Sequence, residues 1–219
     1  MRIHLFEFED FPWFPGVIRE GMVDYLRFIL GNINFYKPIV PLIKEGLDKS
    51  GQNRIIDLCS GGGGAIEQVM KVPKNLNGLQ TMFSAFHHFR TTDAKKILRN
   101  AMDNNRPIAI FDGGDKNILV FVGIIFIHLI IFFLFTPFFK PFRLSRIIFT
   151  YALPLIPLCT IWDGMVSIIR LHEPKNLQKI VQGVDPNKRY FWKIGKAKHR
   201  FGLKVSYLIG YSNDYKTDV

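Results

Sequence analysis

Apolar positions fall into two regimes along this chain. From Asn117 to Phe139, NILVFVGIIFIHLIIFFLFTPFF, no residue carries a formal charge, and such a run exceeds the ~20 residues a helix needs to cross a bilayer. His128, its polar interior side chain, is expected to lie neutral against a neighbouring helix. After the basic turn KPFRLSR a second apolar run goes from Ile147 to Trp162, interrupted by Pro154 and Pro157. It is short for a span and predicts a kinked second leg or an interfacial segment, with Tyr151 and Trp162 suited to a membrane interface. A buried core hairpin is the competing reading of the same residues.

The remaining chain alternates strand and helix patterns. Arg54 to Leu58 (RIIDL) is a short apolar run that ends in glycines and is followed by the helical AIEQVMK. Leu79 to Phe86 (LQTMFSAF) and Pro107 to Phe111 (PIAIF) are two more such runs. Between them lies AKKILRNAM, a helix expected to start behind a Thr92 or Asp93 cap. Pro174 to Gln182 predicts a helix with proline in its first turn, and Tyr190 to Ile194 with Lys204 to Gly210 predicts a strand hairpin. Upstream, Phe11 to Leu30 holds a proline-bounded aromatic segment and the helix GVIREGMVDYLRFIL. Strands alternating with helices indicate an α/β sheet.

Charge adds a partner class. The chain of 219 residues carries 29 Lys and Arg against 18 Asp and Glu, a net charge of +11. The basic residues form no single block. One group, Lys140, Arg143, Arg146, Arg170, Lys175 and Lys179, lies beside the apolar runs, and another from Lys188 to Arg200 occupies the C-terminal hairpin. That placement favours an anionic lipid surface over nucleic acid, for which no recognition motif is present. Positive charge on both sides of the apolar runs leaves orientation open, although a hairpin that dips in and returns would keep both flanks on one side. Glu7, Glu9 and Asp10 break up the first residues as a signal peptide, so the N-terminus is expected to stay cytoplasmic. Cys59 and Cys159 lack metal or disulfide spacing and fit a reducing compartment, while His4, His172 and His199 show no metal pattern.

Ile55-Ile56-Asp57-Leu58-Cys59-Ser60 followed by Gly61 to Gly64 carries the most chemistry. A strand running into glycines and then a helix lets backbone N–H groups approach a ligand at a helix N-terminus. Asp57, at the strand end, can accept from an amino group. No G-K-[ST] follows, which excludes a Walker-type ATPase, and the dinucleotide G-x-G-x-x-G spacing is not met.

These residues resemble the Rossmann-like, class I S-adenosylmethionine-dependent methyltransferases. IIDLCSGGGG resembles the family's first motif, LQTMFSAFHHF its fourth strand, RPIAIFDGG its fifth, WDGMVSIIRLHEPKNLQKIV the following helix region, and YFWKIGKAK with LKVSYLIGY the closing antiparallel pair. The resemblance implies S-adenosylmethionine as cofactor, held by Asp57, Cys59, Gly61, Gly62, Gly63 and Ser84. His87 and His88 then sit where the acceptor is met and are expected to assist it; a capping or surface pair is the plainer reading. Trp13 and Phe14 either cover substrate or dock the N-terminal segment, and Asp163-Gly164 is expected to start a helix or set a turn. No metal is implied.

The departure from the family is an excision. Only about twenty residues separate Leu58 from Leu79, room for one crossover and no further strand. The second and third strands, which would bind ribose and adenine, are therefore missing, and the family order 3-2-1-4-5-7-6 reduces to 1-4-5-7-6 with the first strand at an edge. The expected fold is an α/β, Rossmann-like methyltransferase sheet shortened at one edge, with an inserted hydrophobic α-helical hairpin. Its parts are residues 1–116 (N-terminal helix and core), 117–162 (membrane hairpin) and 163–219 (C-terminal helix and closing hairpin). The expected function is methyl transfer to a small or lipid-like acceptor at a membrane, the soluble part being cytoplasmic and membrane lipid a partner. The alternative is an inactive, truncated methyltransferase-like membrane protein.

Overall fold

A computed structural model describes residues 3–58 and 77–216. The chain divides into two compact units, Tyr36–Gly114 with Leu171–Val219 forming one, and Met1–Phe35 with Asp115–Arg170 the other.

The first of these is an α/β unit around a five-stranded mixed sheet, β1 (Ile55–Asp57), β2 (Leu79–Phe83), β3 (Ile108–Gly113), β4 (Tyr190–Lys198) and β5 (Lys204–Ser212). Its order is β1-β2-β3-β5-β4. β1, β2 and β3 run parallel, with Ile55 opposite Leu79 and Gln80 opposite Ile108, while β5 is antiparallel to both β3 and β4. This is the order expected from removing two strands, and β1 lies at the edge with Ile55 and Asp57 exposed. β2 and β3 are buried nearly end to end, as strands covered on both faces must be.

Helices cover both faces. The α/β unit contributes α2 (Val40–Lys49), α3 (Thr91–Asp103) and α7 (Pro174–Val184). Ile97, Leu98 and Ala101 of α3 and Leu177 and Ile180 of α7 form one core with Met82, Ile110 and Leu208 of the sheet. On the opposite face Gly46 of α2 lies against Leu79 and Ile209, consistent with the period of two along each strand. Two local expectations change. α3 starts at Thr91 behind Arg90, with no side-chain cap, and Asp93 instead pairs with Lys96 in the first turn. α2 was not foreseen because Pro38 and Pro41 break its periodicity on paper, yet proline is accommodated in a first turn, where its missing N–H is not needed. In the closing pair Gly210 leaves space that Trp192 fills; a Cβ there would stand 2.2 Å from the indole ring.

The second unit is helical: α1 (Gly16–Asn32), α4 (Ile118–Phe135), α5 (Leu144–Ile147), continued by a π-turn over Ile148–Ala152, and α6 (Leu155–Arg170). The leg from Leu144 to Ala152 and α6 are bent by 78° at the break before Leu155, where Pro154 removes a backbone donor. The first 35 residues therefore group with the apolar segments and not with the sheet, unlike the partition at 116 and 162. The physical reason is that α1 has an apolar face of its own: Ile18, Met22 and Tyr25, with Phe14 just before the helix, pack with Phe132, Phe139 and Ile156. Asp163 neither starts a helix nor sets a turn. It lies inside α6, and its carboxylate accepts from the backbone N–H groups of Phe8 (2.7 Å) and Glu9 (3.2 Å), fixing the N-terminal segment. Phe14 is buried while Trp13 is exposed, and the indole of Trp162 donates to the carbonyl of Phe6.

Candidate functional site

In open α/β sheets ligands gather beyond the carboxyl ends of the parallel strands, and polar side chains of the α/β unit collect there. β2 ends at Phe83, and Ser84 follows with φ of +44°, a left-handed conformation uncommon for a residue with a Cβ. Its N–H donates to the carbonyl of Phe111 on β3 (2.8 Å), which holds the turn in place. The Ser84 hydroxyl lies 2.5 Å from the hydroxyl of Tyr36. Burial pushes the Tyr36 phenol up to about 12; the Ser84 hydrogen bond opposes this and the negative charge of Asp112 adds to it. The phenol therefore keeps its proton across the physiological range and can both donate and accept.

Immediately beyond, Phe86–His88 forms a single 3-10 turn. Asp112, near the end of β3 and buried, accepts from the backbone N–H of Phe86 (3.2 Å) and stands 3.3 Å from Nδ1 of His87. Burial alone would raise this carboxyl. The charge and hydrogen bond of His87, then the charges of His172 and His88, outweigh it and hold Asp112 below the usual carboxylate range. An ionised carboxylate can only accept, so Nδ1 of His87 carries the proton in this pair. This is the base-and-orienter arrangement that fixes an imidazole tautomer for proton transfer. The His88 ring lies 4.3 Å from that of His87. His172 packs its ring on Phe86 (5.3 Å), with Nε2 3.2 Å from the carbonyl of Phe89.

Of the residues singled out from sequence, the structure brings Ser84, His87 and His88 together at the end of β2. Asp57 closes β1, the neighbouring strand, where it is exposed and in register with Thr81. Cys59, Gly61, Gly62 and Gly63 lie outside the described residues. Three participants were missed. Asp112 ends an apolar strand before two glycines, PIAIF-D-GG, the same grammar that drew notice to Asp57. His172 was set aside for lacking metal spacing. Tyr36 lies 48 positions from Ser84, and nothing local in the chain announces that pairing.

The basic C-terminal hairpin is partly neutralised: Lys193 binds both oxygens of Glu45 (2.9 and 2.7 Å), and Lys196 pairs with Glu173 (2.9 Å). The hydrogen bond from Lys193 to Glu45 raises the amine above its ordinary value. Compared with models of known families, with curated proteins and with solved structures, the chain has no match.

Proposed function

We propose that the chain is a membrane-associated methyltransferase of the Rossmann-like type that acts on a small or lipid-like acceptor. The observation that carries this reading is the polar cluster at the carboxyl ends of β2 and β3: His87 oriented by a buried Asp112, beside the Tyr36–Ser84 pair. It stands in a sheet ordered β1-β2-β3-β5-β4, the order of the family's sheet without its second and third strands. The position of the soluble unit on the cytoplasmic face belongs to the same proposal.

The described residues fit one end of S-adenosylmethionine and not the other. A carboxylate at the end of β1 suits the ammonium of the methionine portion, and the sequence places Gly61 to Gly63 directly after it. Among the described residues no strand lies beyond β1 to offer an acidic side chain to a ribose. The cofactor supplies an electrophilic methyl group when bound. The protein's part is positional: His87, held through Nδ1, assists an acceptor hydroxyl or amine, and Tyr36 with Ser84 offers a hydrogen-bonding wall to the same acceptor.

A second reading, a methyltransferase-derived membrane protein without turnover, is favoured by one observation, the three-residue exposed edge strand β1 where half of a cofactor pocket would rest. Detergent-solubilised protein incubated with methyl-labelled S-adenosylmethionine and extracted membrane lipids distinguishes the two. Label in the organic phase is the expected result; folded protein that leaves all label in the cofactor contradicts the enzymatic reading.

A further inference from the structure

The apolar segments present an unusual surface. Of the eighteen residues of α4 only Phe132 is buried. Leu119, Val122, Phe126, Ile130 and Phe133 are exposed at helical spacing along one side. The exposed surface continues past the helix end at Phe138 and Phe142, and into the second leg, where Tyr151 rests on Phe133 with its hydroxyl donating to the Phe133 carbonyl. Leu153, Leu155 and Leu158, at the bend, are exposed too. An α4 of this length and composition passes as a membrane span.

What accompanies α4 argues against a crossing. Tyr25 and Phe28 of α1 hold it against the C-terminal half of α4: Tyr25 lies 5.3 Å from His128 and stacks on Phe132 (3.9 Å), and one turn later Phe28 packs on Phe135 and Phe139 (5.9 and 4.6 Å). α6 returns in the opposite direction, with Ile124 against Gly164 and Gly21 of α1 against Ile156. An α4 that crossed the bilayer would therefore draw the Tyr25–Phe28 turn of α1, with the neighbouring Arg27, in with it. α1 bears Arg19, Glu20, Asp24 and Arg27 in the sequence GVIREGMVDYLRFILGN. Asp24 is buried against Arg146, but Glu20 and Arg27 have side chains 56% and 66% exposed. Exposed charges of both signs on a helix packed beside the hydrocarbon-crossing segment are costly, because no lipid group can solvate them there.

We infer that the helical unit is monotopic: it lies flat in one leaflet of a lipid bilayer, with the Leu119–Phe133 stripe of α4 in the acyl region and α1 above it at the headgroups. This arrangement keeps Glu20 and Arg27 in water while burying the uncharged stripe of α4. Lys140, exposed between Phe138 and Phe142, is placed for an anionic headgroup, as is Arg143, which also pairs with Glu20. Lipid, and not a protein, is the occupant because the stripe offers no polar atom for the hydrogen bonds that a protein interface carries along its rim. The inference rests on the membrane part of the proposed function and is independent of the transfer chemistry.

The test uses the full chain with Cys59→Ser and Cys159→Ser, carrying either Asn117→Cys or Lys140→Cys, added to preformed vesicles of phosphatidylcholine and phosphatidylglycerol. Both single cysteines flank α4 and are exposed positions. Flotation with the vesicles, equal labelling of both by a membrane-impermeant maleimide before permeabilisation, and bromolipid quenching of a fluorophore at Phe126→Cys is the expected result. Labelling of one of the two only after permeabilisation overturns the monotopic arrangement while leaving membrane association intact. Protein that does not float with the vesicles overturns the membrane reading as well, so the two failures are distinguishable.

Discussion

Replacing Arg146 with leucine is expected to destabilise the helical unit by about 3–5 kcal/mol, the usual cost of leaving one partner of a buried ion pair behind. Arg146 is 1% exposed, and its guanidinium reaches three acceptors: the Asp24 carboxylate (2.5 Å) and the carbonyls of Phe139 (2.5 Å) and Pro141 (2.7 Å). One side chain thus ties α1 to the turn between α4 and α5 and satisfies backbone groups that the turn leaves open. Arg27 stands 3.4 Å from the other oxygen of Asp24, Oδ1, and Arg143 3.5 Å from Oδ2, the oxygen that Arg146 binds. They soften the loss for the carboxylate but cannot serve the two carbonyls, so the effect is expected nearer the lower figure. Asp24→Leu combined with Arg146→Leu should cost less than the sum of the two single changes, since the pair is removed together. Denaturant unfolding in detergent, followed by ellipticity, reads both. A loss under about 1 kcal/mol for Arg146→Leu would mean that this guanidinium is solvated and not buried.

His87→Asn is expected to lower the rate of methyl transfer by ~10²-fold or more, the range over which a positioned general base acts. An asparagine amide can still donate to Asp112, so the turn over Phe86–His88 is kept while the proton acceptor is lost. Asp112→Asn acts on the same step through the tautomer, because an amide no longer selects the Nδ1-protonated imidazole. It also has a signature in stability. The Asp112 carboxyl is depressed in the folded protein, against the pull of burial, by the charge and hydrogen bond of His87. Stability from that interaction is present above the unfolded carboxyl's value near ~3.9 and is lost as pH falls through the folded value. Wild type should therefore be more stable than Asp112→Asn at neutral pH, with the difference closing in acid. A difference that stays constant down the acid limb would show that the Asp112 carboxyl is not depressed in the folded protein.

The strands were legible because each announced itself as an apolar run bounded by turn residues, whereas their order was what the resemblance to the methyltransferase family implied once the short interval from Leu58 to Leu79 left room for one crossover. Such arguments reach what is local or set by chain length. They did not reach α2, where two prolines disguised a first turn, nor the grouping of α1 with α4 and α6, which depends on Tyr25 meeting Phe132 more than one hundred residues away. In the site the contrast is similar. His87, His88 and Ser84 were visible from their place after an apolar strand, whereas Tyr36 joined them through a tertiary contact and Asp112 through the pairing of β2 with β3. Asp163 shows the limit from another side: an Asp-Gly pair reads as a turn, but here the carboxylate caps a distant segment from within a helix.

Binding of S-adenosylmethionine to the detergent-purified protein, measured by calorimetry beside a Gly62→Asp variant, tests the central claim most directly. The claim requires micromolar binding by the wild-type chain, abolished when a carboxylate is placed in the run of glycines from Gly61 to Gly64. Folded wild-type protein that takes up no cofactor would contradict it.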